Sequence, residues 1–167
     1  MKSSKAQLNR SRFILMGLSL AGLLASFYSL FIELQHDKDH SYRAACDISE
    51  KLSCSAAFLS EYGRGMGIMP SDSIFYIRNP YFGFATYTIL FILSILCLKH
   101  KWCLNIIYYN SIFLNMTTIY LAYLLIFKIR SLCVVCLTIY VINFLLLIFS
   151  SKLRATIKKL VSNKKQN

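Results

Sequence analysis

Four long stretches without a charged residue constrain this chain more than any other feature. They are residues 13–32, 79–98, 102–127 and 131–151, of 20, 20, 26 and 21 residues. A helix rising 1.5 Å per residue needs about 20 apolar residues to cross the hydrocarbon of a bilayer, so each is long enough to span it. Backbone N–H and C=O groups in lipid must find partners within the chain, which favours helices. The expected fold class is therefore an all-α membrane protein, a four-transmembrane-helix bundle. With 56% hydrophobic and 16% charged residues, the chain is too apolar for an ordinary soluble domain, and its 167 residues suit one membrane domain over 1–167. The first stretch follows Lys2, Lys5, Arg10 and Arg12, as a signal peptide would, but its apolar run exceeds the roughly 7 to 15 residues of a signal core. A retained helix is expected.

A net charge of +12 could suggest a nucleic-acid partner, yet the distribution of charge excludes that reading and points to topology. Twelve of the 19 basic residues lie in three places: four before the first span, Lys99 and Lys101 between the second and third, and six after the fourth. The positive-inside bias puts those places, and hence both termini, in the cytosol. All seven acidic residues fall between Glu33 and Asp72, inside the long connection 33–78, which then faces the lumen. Lys128 and Arg130, before the last span, are minor exceptions.

Topology also sorts the six cysteines. Cys46, Cys54, Cys133 and Cys136 fall on the oxidising side, where disulfides persist, and Cys97 and Cys103 flank the cytosolic lysines, where packed or lipid-facing thiols are expected and palmitoylation is the lesser reading. His36 and His40 lie in the acidic stretch and His100 in the cytosolic turn, so all three read as solvated surface.

A 46-residue connection without structure is improbable unless it is functional. Ala56, Ala57, Phe58 and Leu59 suggest a short helical turn after Cys54, ended by the glycines of Tyr62-Gly-Arg-Gly-Met-Gly67, and Ile74, Phe75, Tyr76 and Ile77 form a brief apolar run. Together they predict a loop folded onto the membrane surface whose apolar residues cap a cavity between the helix ends. The plainer alternative is an amphipathic segment resting on lipid.

Cys133-Val-Val-Cys136 opens the last span. At i, i+3 on one helix face the Cβ atoms would stand about 5 to 6 Å apart, too far for a relaxed disulfide, but a first turn tightened toward 3₁₀ geometry closes the gap. Unpaired amides at a helix start also favour a thiolate. Tyr140 and Asn143 continue the stripe, and polar groups at such depth face protein or a cavity. A lone C-x-x-C is as compatible with inert helix packing as with chemistry. The second pair on the same side, Cys46 and Cys54, permits thiol–disulfide exchange between the two. A four-cysteine zinc site is the rival use, although seven intervening residues exceed its usual spacing, and no metal is expected.

Four motifs in order, Cys46-Asp47 with Ser53-Cys54-Ser55, Tyr62-Gly-Arg-Gly-Met-Gly67, Asn79-Pro-Tyr-Phe-Gly83 and Cys133-Val-Val-Cys136-Leu-Thr-Ile-Tyr140, resemble the animal vitamin K epoxide reductase family, from the first span to Phe149. The resemblance implies a bundle around a quinone pocket with a lumenal cap loop between the first two spans. It implies Cys133 and Cys136 as the active-site pair, with Cys136 contacting substrate and Cys133 exchanging with Cys54. Cys46 and Cys54 would be the shuttle, recharged by a lumenal thioredoxin-like, protein disulfide isomerase-type partner. Asn79 and Tyr140 match hydrogen-bonding residues for the quinone oxygens, and Phe58 a pocket wall. The quinone is substrate and no tightly bound cofactor is implied. Two departures, a somewhat shorter stretch between Cys54 and Asn79 and Tyr62 in place of a family tryptophan, bear on cap geometry.

The expected function is thiol-dependent reduction of vitamin K epoxide, vitamin K quinone or both, in the endoplasmic reticulum membrane. The terminal Lys164-Lys165-Gln166-Asn167 resembles a dilysine retrieval signal, and a basic tail on anionic headgroups is its alternative. The same residues would also serve quinone-linked oxidation of lumenal protein thiols. A non-enzymatic four-span scaffold with structural disulfides is the third reading.

Overall fold

The computed structural model describes residues 2–49, 51–70, 72–74, 76–96 and 101–166, and its regular structure is helical, without a strand among those residues. In chain order the α-helices are α1 (Lys2–Lys38), α2 (Cys54–Phe58), α3 (Asn79–Leu96), α4 (Lys101–Tyr123) and α5 (Val134–Gln166). The segments long and apolar enough to cross a membrane are Asn9–Lys38, Asn79–Leu96, Trp102–Ile129 and Val134–Lys158. Three of them outrun the expected spans at one or both ends, because a helix does not stop where the first charge appears. Cys97, Leu98, Lys99 and His100, between the second and third spans, and Phe75 in the long connection lie outside the described residues.

α1 packs along α3 and α5, and α4 packs along α5, whereas α3 and α4 barely touch. Small residues bring α1 and α3 close: a Cβ at Gly22 would sit 2.3 Å from the Tyr87 ring. Close approach through small side chains is the usual means of association where lipid is as apolar as the interface. Leu15, Leu90, Ile107, Leu146 and Leu153 fill the bundle core, and Leu24, Ile92, Ile119 and Phe144 point outward, as lipid-facing positions do. Three hydroxyls inside the spans are satisfied by their own helix. Ser29, Ser111 and Thr117 donate to the carbonyl four residues back, at 2.9, 2.8 and 3.0 Å.

At the far end of α4 the helix widens into a π turn, Leu124–Ile129, and stops at Arg130, whose φ of 56° is left-handed. This stop returns the chain within a few residues to the start of α5. The long connection closes over the same end of the bundle. Arg78 ties it to α1 through Glu33 (3.1 Å) and Asp37, and Arg64 pairs with Arg78 while the Gly65 amide donates to the Ile77 carbonyl at 2.8 Å. Between these anchors Gly65, Met66 and Gly67 are all left-handed, with φ of 54°, 56° and 70°, a turn that side-chain-bearing residues adopt only at a cost.

The connection thus forms the expected cap, with two corrections. α2 ends at Phe58 and is capped by Leu59, which reaches back to the Ser55 carbonyl, before any glycine is reached. Of the run after residue 73, the described residues Ile74, Tyr76 and Ile77 do not line the cavity, and Ile74 is 85% and Ile77 41% exposed. Closure comes instead from Phe58, Tyr62, Met66 and Met69, because the left-handed turn folds that part of the loop inward.

Candidate functional site

The first requirement of the site is to bring two cysteine pairs together across nearly 80 residues of sequence. Backbone pairing does this: the Leu132 amide donates to the Lys51 carbonyl (2.7 Å) and the Ser53 amide to the Leu132 carbonyl (2.9 Å). Leu52 and Leu132 form a parallel bridge, so Cys54 and Cys133 each leave it within two residues. Both sulfurs are buried in one apolar cluster with Ile32, Ala57 and Leu125, and Cys46, Cys136 and Tyr140 pack against it.

Asp47 sets the loop pair. Its Oδ1 accepts from Ser53 Oγ (2.9 Å) and the Ser55 amide (3.0 Å), and its Oδ2 from the Ala44 amide (3.1 Å). The carboxylate beside Cys46 therefore grips both neighbours of Cys54, and the two cysteines are joined in a disulfide with Cα atoms 5.8 Å apart. Partial burial opposes the charge of Asp47, but the hydrogen bonds from Ser55, Ser53 and Ala44 outweigh it and hold the carboxyl below the usual carboxylate range. Ser53 also caps α2, its hydroxyl accepting from the Ala56 amide at 3.0 Å.

Cys133 and Cys136 are thiols. Their geometry differs from the expected pair on one helical face, because α5 begins at Val134 and Cys133 stands at its N-cap. The Cys136 amide donates to Cys133 Sγ at 3.1 Å, and the Leu137 amide to the Cys133 carbonyl at 3.0 Å. The sulfur does what a serine hydroxyl does at this position, satisfying an amide of the first turn. The two side chains consequently meet at the helix start.

Beside them lies a cavity of about 380 Å³ between the cap, α1, α3, α4 and α5, within the roughly 300–1,000 Å³ of small-molecule sites. Cys136, Tyr140, Asn79 and Phe58 all line it and Cys133 does not. Asn79 has a duty that its sequence position did not reveal. Its Oδ1 accepts from the Met66 amide and its Nδ2 donates to the Tyr62 carbonyl, both at 2.8 Å, so the first residue of α3 holds the cap turn in place.

Further in, Tyr87, Asn143 and Thr118 form a polar chain across three helices. The Tyr87 hydroxyl donates to Asn143 Oδ1 (2.6 Å), and Asn143 Nδ2 donates to Thr118 Oγ1 (2.8 Å). The Asn143 carbonyl in turn accepts from Asn115 Nδ2 (2.8 Å). Asn143 was legible as a polar position on the stripe of Cys136 and Tyr140, but Tyr87 and Thr118 were missed. Tyrosine and threonine are common in spans, and only the packing of α3, α4 and α5 shows where these two point. Of the remaining cysteines, Cys103 is buried. His36 and His40 stack edge to face, with ring centroids 5.3 Å apart.

Residues 13–151 match the model of the "Vitamin K epoxide reductase family". The chain is 35% identical over 139 residues to "Vitamin K epoxide reductase complex subunit 1" of Mus musculus and 36% identical over 139 residues to the protein of the same name from Rattus norvegicus. Each match covers 81% of this chain and 85% of the relative. A match that takes in all four spans, the cap and both cysteine pairs leaves one assignment: the chain belongs to the vitamin K epoxide reductase family.

Proposed function

We propose that this protein reduces vitamin K epoxide, vitamin K quinone or both, taking electrons from the Cys133–Cys136 dithiol. The observation that carries the reading is the division of the pair: Cys136 lines the cavity, whereas Cys133 lies off it, buried in the same cluster as Cys54. One thiol thus serves the substrate and the other the relay.

The dithiol gives up two electrons and two protons as the disulfide between Cys133 and Cys136 forms. A quinone accepting them becomes a hydroquinone, and an epoxide accepting them becomes a quinone with release of water. The Cys136 sulfur attacks or contacts the substrate, and attack by Cys133 on that sulfur completes the transfer. Tyr140 and the second N–H of Asn79 Nδ2 donate to the oxygen that gains charge. Phe58 forms the wall against which the rings lie. The substrate enters from the bilayer through the gap between α3 and α4, where Phe113 both lines the cavity and is 61% exposed.

Regeneration runs outward. A dithiol formed from Cys46 and Cys54 would reduce the Cys133–Cys136 disulfide by exchange through Cys54 and Cys133, leaving the arrangement seen here, with the loop pair oxidised and the active-site pair reduced. A thioredoxin-like protein of the lumen then reduces the loop pair. The charge pattern supports an endoplasmic reticulum membrane setting with both termini cytosolic and the cap lumenal.

Purified protein in detergent, supplied with dithiothreitol and either vitamin K epoxide or vitamin K quinone, tests the proposal. Conversion of at least one substrate is expected. No turnover of either, by protein that keeps its helical content, would overturn it.

A further inference from the structure

A second cavity, of about 510 Å³, lies between α4 and α5 at the end of the bundle opposite the cysteines. Leu104, Asn105 and Tyr108 line it from α4, and Ser151, Arg154 and Lys158 from α5. Arg154 is not loosely solvated: its guanidinium carbon sits 4.5 Å from the centre of the Tyr108 ring and 5.3 Å from that of Tyr109. Stacking of this kind fixes the cation's position and leaves the edge of the guanidinium free to donate.

The anion for this cation is missing from the chain. No acidic residue follows Asp72, and none precedes Glu33. The side-chain ion pairs of Arg78 with Glu33 and Asp37 lie at the other end of the molecule. Arg154 also stands twenty residues beyond Val134, the first residue of α5. At 1.5 Å per residue that is about 30 Å, the thickness of the hydrocarbon, which brings Arg154 to headgroup depth in the leaflet opposite the cap. Trp102, Tyr108 and Tyr109 at the start of α4 fit the aromatic belt found at that depth.

We propose that this cleft binds the phosphate of an anionic phospholipid, with Arg154 and Lys158 supplying charge and Ser151, Asn105 and Tyr108 supplying hydrogen bonds. A phosphodiester at the membrane surface matches the two cations, the neutral donors and the depth together. An acyl chain runs down from it over Leu104. The site is separate from the quinone cavity and does not depend on the activity proposed for it.

Lipid retention by the purified full-length protein, read by native mass spectrometry, provides the test. The expected result is selective retention of phosphatidylinositol over phosphatidylcholine, weakened about fivefold by Arg154→Gln and similarly by Lys158→Gln, the value of one cation beside an anionic headgroup. Arg43→Gln, an exposed position at the cap end, should leave retention unchanged. Millimolar inorganic phosphate should not displace the lipid. Equal retention of the two lipids, no effect of either α5 variant, or displacement by phosphate alone, which would mark a site for a soluble anion, would each overturn the proposal. Lys158 is exposed, so its variant carries the test if Arg154→Gln does not fold.

Discussion

Cys133 has two roles that can be separated by a single atom. As the N-cap of α5 it offers an acceptor to the Cys136 amide, and as a thiol it closes the redox cycle proposed above. Serine keeps the first role and loses the second, since it is among the strongest N-cap residues. Cys133→Ser and Cys136→Ser are therefore expected to lose quinone reduction with every reductant while keeping helical content and thermal midpoint close to those of the parent. Tyr140→Phe should retain turnover at about a tenth, the worth of one hydrogen bond of about 1.4 kcal/mol. Near-normal rates in Cys136→Ser would remove the mechanism. Asp47 makes a second prediction at this scale. Its folded-state carboxyl titrates below the unfolded one, so the stability it contributes is present above the unfolded carboxylate range, near pH 4, and is lost as pH falls through the lower folded value. The thermal midpoint should drop on acidification through that window, and Asp47→Asn should flatten the drop. An unchanged acid profile in the variant would show that Asp47 does not hold the loop pair.

At the scale of elements, the cap depends on the first residue of α3. Asn79→Ala removes both bonds from the carboxamide to the Tyr62–Gly67 turn, so KM for the quinone should rise by about tenfold or more and the cap should be cleaved sooner by protease. A variant with unaltered KM and protease resistance would show that the turn holds itself. Residue type and spacing picked out Asn79, but its contacts run to backbone 13 and 17 residues earlier in the chain, and no periodicity encodes such a pairing. The four spans were legible because hydropathy and charge act over 20 residues at a time. The C-x-x-C was legible too, although its helical register was not, since one residue decides whether Cys133 lies inside the helix or caps it. Tyr87 with Asn143 was beyond reach for a further reason: the two are 56 residues apart, and the bond exists only because Gly22 lets the Tyr87 ring lie against α1.

For the whole molecule, the seven carboxylates confined to 33–72 and the twelve of 19 basic residues gathered at the other end describe a protein with two chemically different faces. In sealed microsomes an impermeant maleimide, added after reduction, should reach Cys46 only when the membrane is opened. Labelling from the cytosolic side would reverse the topology. The same polarity underlies the central claim, that the bundle joins a lipid-side cavity at Cys136 to a relay at Cys46 and Cys54 through Cys133. A relay is needed only for a donor too bulky to reach the buried pair, and Cys133 is wholly buried. The most direct measurement is the rate of vitamin K epoxide or quinone reduction by Cys46→Ala and Cys54→Ala with two reductants. With a thioredoxin-like protein as donor, both variants should lose activity. With dithiothreitol, both should keep a substantial part of it. Equal loss with both reductants would mean that the loop cysteines only hold the cap together, and the relay would have to be abandoned.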